Sequence, residues 1–165
     1  MPISDAELLD SFPDVVISHD DKEFYRGWLS RRLVLPRCRE CGSWQGTRRP
    51  VCAECWSLDI DHQPVSGAGT VHLLIWLHQG PPAPDVDYAS PHPVATVELD
   101  EQAGLRYTST ILDGHEGDVH IGDRVELAWI ERYGAPFPVF RKVAGTPESA
   151  RPNPFDTNPR TEWGQ

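Results

Sequence analysis

The sequence predicts a mainly β fold in which an N-terminal helical segment precedes a small four-cysteine ribbon and a five-stranded barrel. Three observations predict it. The 165 residues include sixteen prolines and thirteen glycines, which favour turns and short strands over a helical bundle. All four cysteines lie in one segment, CRECGSWQGTRRPVCAECWS, at residues 38–57. Five apolar runs of strand length follow this segment, and turn residues separate them.

Two short helices are predicted before the cysteines. Ser4 and Glu7 have the spacing of a capping box, and an apolar run follows them. The second helix is predicted from about residue 20 to 31, because the aromatic residues of FYRGW recur with a spacing of four. Asp20 or Asp21 is the expected cap of this second helix.

The cysteines form two C-x-x-C pairs, Cys38 with Cys41 and Cys52 with Cys55, separated by ten residues. Each pair can direct two thiolates at one point, and two pairs complete a tetrahedron. We therefore predict a rubredoxin-like zinc ribbon that holds one structural Zn ion, because four cysteine ligands leave no open coordination position. Iron in a rubredoxin-like site would use the same four ligands.

The second half of the chain predicts a barrel. Its five candidate strands cover residues 68–79, 94–100, 105–112, 124–131 and 137–143. Five short strands, of which the first is the longest, fit a five-stranded OB-fold barrel. The chain thus divides into N-terminal helices (1–33), the zinc ribbon (34–60), the OB-fold barrel (61–143) and a proline-rich C-terminal arm (144–165). The arm is interpreted either as a disordered tail or as a segment that orders on a partner through Phe155 and Trp163.

The charge of the chain bears on its partners and its compartment. A net charge of −10 gives no general attraction to nucleic acid, although seven of the thirteen arginines fall between Arg26 and Arg49. The start of the chain lacks the pattern of a signal peptide, and no run approaches the roughly 18 apolar residues of a membrane span. We therefore expect a cytoplasmic protein without membrane contact, in which the cysteines are metal ligands rather than disulfides.

The residues alone allow two functions, nucleic-acid binding and catalysis. A zinc ribbon beside an OB-fold suggests a single-stranded nucleic-acid-binding module, with Trp76, Tyr107 and Trp129 as candidate stacking residues. The acidic charge and the few cations in the strands argue against it. A stand-alone enzyme would need a nucleophile and a base, and the sequence offers no such pair once the four cysteines are assigned as ligands. We therefore expect no catalytic residue in this chain.

Several segments, in their order along the chain, carry a resemblance to a known family. They are LVLPRCRECGSWQGTRRPVCAECWS, SGAGTVHLLIWLH, PVATVELDE, IGDRVELAWIE and FPVFRKV. Together they resemble the zinc-ribbon-plus-OB-fold proteins known as domain of unknown function 35, which are associated with acyl-CoA metabolism. The resemblance extends from about Glu23 to Lys142. Trp56 departs from the glycine that is usual after the second cysteine pair.

The resemblance implies a non-catalytic accessory subunit of a thiolase-superfamily enzyme: an aldolase, thiolase or acyltransferase that acts on acyl-CoA thioesters. Retro-aldol cleavage of a steroid side-chain CoA ester is one reaction of this kind, and a hotdog-fold enoyl-CoA hydratase is another implied partner. Arginines can grip the phosphates of coenzyme A bidentately. Four ribbon arginines are candidates for contact with CoA phosphate or with the partner, unless they form a solvated face: Arg37, Arg39, Arg48 and Arg49.

Overall fold

The computed structural model describes residues 3–81 and 86–144. Phe155 and Trp163, the predicted anchors of the C-terminal arm, lie outside these described residues. The helices are α1 (Asp5–Ser11), a 3₁₀ turn (His19–Asp21) and α2 (Lys22–Leu29). The strands are β1 (Val34–Cys38), β2 (Ile60–Pro64), β3 (Ala68–Leu77), β4 (His92–Leu99), β5 (Arg106–Ser109), β6 (Arg124–Arg132) and β7 (Ala135–Lys142).

Strands β3 to β7 form one antiparallel sheet in the order β5-β4-β3-β6-β7. The sheet curls so that the chain just after β5 meets β7 in a parallel bridge between Ile111 and Phe140. The Leu112 N–H donates to the Phe140 carbonyl at 2.7 Å, and the Phe140 N–H donates to the Thr110 carbonyl at 3.0 Å. This curled five-stranded half-barrel confirms the predicted OB-fold.

The core of the barrel follows from strand alternation. Along β4, every second residue is buried, as the period of two of a strand with one covered face requires. Phe24 of α2 packs into the same cluster, so the second helix covers one end of the core. The aromatic rings of Trp76 and Tyr107 also pack against this cluster. Its main buried members are Leu33, Leu35, Val71, Ala95, Val97, Leu99, Leu105, Val125 and Phe140.

The first helix begins as predicted. The Glu7 N–H donates to Ser4 Oγ at 3.3 Å, and the Ser4 N–H donates to Glu7 Oε2 at 2.8 Å, which completes the capping box. The expected cap of the second helix is wrong in its mechanism. Asp21 occupies the N-cap position of α2, but its carboxylate makes no capping hydrogen bond. It accepts instead from Ser18 and from the guanidinium of Arg48. Burial is the largest single influence on the Asp21 pKa and raises it, but the bonds from Ser18 and the charge of Arg48 together lower the pKa below its usual value.

The ribbon contains a second, two-stranded sheet that the sequence did not predict. Strand β1 pairs with β2 in antiparallel fashion, from Val34 opposite Pro64 to Cys38 opposite Ile60. The side chain of Gln102, in the turn between β4 and β5, fastens the ribbon to the barrel. Its Oε1 accepts from the Trp44 N–H at 2.9 Å, and its Nε2 donates to the Trp44 carbonyl at 3.2 Å.

Strand β3 changes face in its middle. A bulge shifts the register between Val71 and Leu73, and such an irregularity moves the following side chains to the other face of the sheet. Leu73 and Ile75 are therefore exposed, whereas Trp76 packs against the core. Within residues 3–81 and 86–144, no helix has both the length and the apolar character needed to cross a membrane.

Candidate metal centre

The first cysteine pair lies on a tight turn at the end of β1. The Gly42 N–H donates to the Cys38 carbonyl at 3.0 Å, and the Cys38 N–H donates to the Ser43 carbonyl at 2.9 Å. Gly42 has a φ of 74°, in the left-handed region that glycine adopts without steric cost. The glycine after Cys41 therefore lets this turn close without backbone strain.

The second pair repeats this turn with a different residue. The Trp56 N–H donates to the Cys52 carbonyl at 3.1 Å, and the Cys52 N–H donates to the Ser57 carbonyl at 2.9 Å. Trp56 has a φ of 62°, so a bulky residue occupies the backbone conformation that Gly42 has in the first turn. The left-handed conformation costs a residue with a Cβ atom about 1–2 kcal/mol.

The two turns bring all four sulfur atoms together. The Sγ atoms lie within 4.8 Å of one another. The Sγ atoms of Cys38 and Cys55 are 3.6 Å apart, as are those of Cys41 and Cys52. Four thiolates at the usual zinc–sulfur distance of about 2.3 Å would be separated by about 3.8 Å. The donor set and its spacing therefore fit one tetrahedral zinc ion.

The acid–base properties of the thiols also favour a cation at this centre. The backbone N–H of Cys41 is the main cause that lowers the pKa of the Cys38 thiol, to about 7. The pKa of the Cys55 thiol is raised to about 12: the backbone N–H of Ser57 lowers it, but desolvation and the neighbouring thiols raise it by more. Four thiolates this close together need a cation between them, so zinc binding releases protons here.

The centre lies at the edge of the ribbon. Cys38 and Cys52 are buried, whereas Cys41 and Cys55 are exposed. One zinc ion with four cysteine ligands would have no free position for a substrate or water, so its role would be to cross-link the two turns. The metal replaces an apolar core that a segment of this size cannot supply.

Two of the four predicted ribbon arginines are held by contacts within the chain. The Nε of Arg37 donates to the Gly42 carbonyl at 3.0 Å, and its guanidinium lies 5.2 Å from the centroid of the Trp44 ring. The guanidinium of Arg48 lies 4.2 Å from the centroid of the Phe24 ring and donates a hydrogen bond to the carboxylate of Asp21, in the 3₁₀ turn before α2. Both side chains thus join the ribbon to itself or to α2.

The other two predicted arginines face solvent. Arg39 is 60% exposed and makes long ion pairs, of 3.8 Å with Asp59 and 3.5 Å with Asp61. Arg49 is exposed, and it makes no ion pair within the described part of the chain. Two of the four arginines are thus held within the fold and two face solvent, and their contact with CoA phosphate or with a partner stays a prediction.

Sequence reasoning noted Trp56 only as a departure from glycine and assigned no role to Trp56 or Leu58, beside the second cysteine pair. Trp56 is 80% exposed and Leu58 is 76% exposed, so the ribbon presents two apolar side chains to solvent. The signal was present in the sequence, since a tryptophan stands where the equivalent turn has Gly42.

A separate apolar cleft of about 580 Å³ lies between the N-terminal segment and the hairpin of β6 and β7. Its walls include Phe12, Trp28, Arg132 and Phe137. No cysteine or predicted ribbon arginine lines it. The cleft is therefore distinct from the metal centre.

Comparisons with known proteins match both halves of this architecture. A family profile described as the rubredoxin-like zinc ribbon domain of ChsH2 matches residues 27–61. A second profile, the C-terminal OB-fold domain of ChsH2, matches residues 62–130. The chain is also similar to a solved structure titled "Ltp2-ChsH2(DUF35) aldolase", with a TM-score of 0.68, 32% identity and coverage of 78% of this chain and 98% of that chain.

Curated relatives agree with these profiles. A DUF35 domain-containing scaffold protein of Methanocaldococcus jannaschii is 32% identical over 114 residues, which are 66% of this chain and 78% of that protein. A probable enoyl-CoA hydratase alpha subunit of Thermomonospora curvata is 33% identical over 138 residues. The match covers 83% of this chain but only 42% of the length of that subunit. A DUF35 structure from Sulfolobus solfataricus, 12% identical with a TM-score of 0.54, shares the fold.

Proposed function

Because this chain belongs to the DUF35 family, we propose that it is a non-catalytic accessory subunit of a thiolase-superfamily enzyme that acts on acyl-CoA thioesters. The likeness to the ChsH2(DUF35) part of an aldolase structure carries the proposal, since it spans nearly all of that chain. The closed four-cysteine centre supports it, because such a centre can shape a docking surface but cannot activate a substrate.

The likeness to an Ltp2-ChsH2(DUF35) aldolase supports a finer proposal. The partner enzyme would cleave a carbon–carbon bond in a CoA thioester, and a steroid side-chain CoA ester is the substrate class that we propose. In this arrangement the partner would supply the nucleophile and the base. This chain would supply a rigid zinc ribbon. The Gln102 side chain fastens the ribbon to the barrel through its hydrogen bonds with the Trp44 backbone.

A second candidate partner rests on a separate observation. The relative from Thermomonospora curvata, named an enoyl-CoA hydratase alpha subunit, aligns with 83% of this chain. A complex with a hotdog-fold hydratase is therefore the alternative that the same experiment should include. Binding to single-stranded nucleic acid has less support, because Trp76 and Tyr107 pack against the core and the net charge is −10.

Co-purification tests the proposal. The chain would be co-expressed with the thiolase-like protein encoded nearest to it, and in parallel with a neighbouring hydratase. We expect a stable hetero-oligomer by light scattering, and acyl-CoA cleavage or condensation that needs both chains. Each protein alone is the control. The absence of a complex with the thiolase-like protein, or turnover by this chain alone, would contradict the proposal.

Charge reversal at the exposed arginines tests contact with coenzyme A. Arg39→Glu combined with Arg49→Glu should weaken acyl-CoA binding by the complex about tenfold, because each guanidinium can bind a phosphate. Arg106→Glu combined with Arg141→Glu is the matched control, since both arginines are exposed on the barrel and this double variant undergoes the same charge change. Isothermal titration with acyl-CoA would measure both. Equal affinities for the two variants would remove these arginines from the CoA site.

Truncation tests the C-terminal arm. Removal of residues 144–165 should weaken the complex about tenfold or more if Phe155 and Trp163 are anchors, because buried aromatic residues dominate interface energies. A full-length chain with Phe155→Ala and Trp163→Ala separates the anchors from the length of the arm. Binding equal to that of the intact chain would leave the arm without a docking role.

A further inference from the structure

The second turn of the ribbon presents a tryptophan that gains nothing from its own fold. Its side chain is 80% exposed, and it makes no ring or cation–π contact within residues 3–81 and 86–144. An exposed indole loses the hydrophobic stabilisation that burial would give it. The fold of this chain therefore offers no packing reason for Trp56.

The backbone makes this choice of residue more costly. Trp56 has a φ of 62°, while Gly42, at the same place in the first turn, has a φ of 74°. The two residues donate equivalent hydrogen bonds, of 3.1 Å and 3.0 Å, to the first cysteine of their turns. A glycine would therefore build the second turn and position its cysteines at least as well. Backbone strain that the fold does not require points to a role in function.

The surroundings of Trp56 indicate what it contacts. Leu58, two residues further along the chain, is 76% exposed and adds a second apolar side chain to this surface. Glu40 and Glu54, one in each cysteine turn, are exposed and make no ion pair within the described part of the chain. A zinc ion with four thiolates adds about two negative charges beside them. Arg39, also in the first cysteine turn, pairs with Asp59 and Asp61, so the two turns that carry the exposed Trp56 keep a net negative charge.

We propose that Trp56 is a docking anchor that inserts into an apolar pocket on the partner enzyme, and that cationic side chains form the rim of that pocket. This inference rests on the proposed function and specifies its interface. Tryptophan is enriched among the residues that dominate binding energy, and such residues fill desolvated pockets surrounded by polar contacts. The acidic residues of the two cysteine turns, Glu40 and Glu54, would speed association with a cationic partner surface.

Trp56→Gly is the decisive variant because it removes the indole and the backbone strain together. We expect full zinc content and a melting temperature equal to or above that of the wild-type chain. We also expect affinity for the co-purified thiolase-like partner to fall at least about tenfold, as for an interface hot spot. Val16→Ser is the matched control, since Val16 is 96% exposed on the N-terminal segment, and its affinity should stay at the wild-type value.

A charge-reversal variant tests whether the rim of the partner's pocket is cationic. Glu54→Lys should lower the association rate several-fold at low salt, and the effect should shrink as salt screens the charges. An unchanged association rate would contradict the cationic rim.

The outcomes separate this inference from the proposed function. If the wild-type chain binds its partner and Trp56→Gly binds within about twofold, the anchor is wrong while the accessory role stands. If light scattering shows a wild-type homodimer that Trp56→Gly dissociates, the occupant is a second copy, and the inference is overturned. A wild-type chain that forms no complex overturns both.

Discussion

Replacement of Cys38 by serine is expected to unfold the ribbon and abolish the complex while the barrel strands remain formed. A serine hydroxyl stays protonated at neutral pH and does not replace a thiolate ligand. Structural zinc contributes about 10–16 kcal/mol of apparent binding free energy in small zinc domains, and here that energy would be folding energy of the ribbon. Most of the buried cluster comes from the barrel, including Val97 and Phe140, so the barrel should survive although the contacts of Leu35 in β1 would be lost.

Metal content and local structure would be measured together. Cobalt substitution of the wild-type chain should give the absorption of a tetrahedral site with four sulfur ligands, and Cys38→Ser should lose it. Hydrogen exchange should then show lost protection in β1 and β2 and retained protection in β4. Chelation of the wild-type chain should reproduce this pattern. A variant that keeps its ribbon and its partner without metal would contradict the structural role of the centre.

Gly67→Ala is expected to cost about 3 kcal/mol of unfolding free energy, from left-handed strain and overpacking combined. Gly67 has a φ of 78°, and a Cβ atom there would lie 2.3 Å from the Cβ of Leu127. The Gly67 carbonyl also accepts from the Leu127 N–H at 2.9 Å, so the chain before β3 cannot move away without loss of a contact with β6.

Gly104→Ala is the matched control for this substitution. Gly104 has a φ of 81°, but a Cβ atom there would meet nothing within 4 Å. Only the backbone cost of about 1 kcal/mol should appear. Urea unfolding of the zinc-loaded chain would compare the two variants. Equal losses would mean that the approach of Gly67 to Leu127 does not limit the packing of the barrel.

The sequence by itself determined the features that depend on local spacing. The two C-x-x-C pairs predict a four-sulfur centre because the ligands of each pair are near neighbours along the chain. The Ser4–Glu7 capping box is confirmed for the same reason, since its partners are three residues apart. The barrel strands follow from apolar alternation, which needs no knowledge of the neighbouring strand.

The tertiary structure alone decided which groups are free and which are used inside the fold. Arg37 and Arg48 have the same chemistry as Arg39 and Arg49, yet the first two are held by aromatic rings and the second two face solvent. The pairing of β1 with β2 joins segments more than twenty residues apart. Such contacts depend on long-range packing, which overrides local pattern and leaves no periodic signal in the sequence.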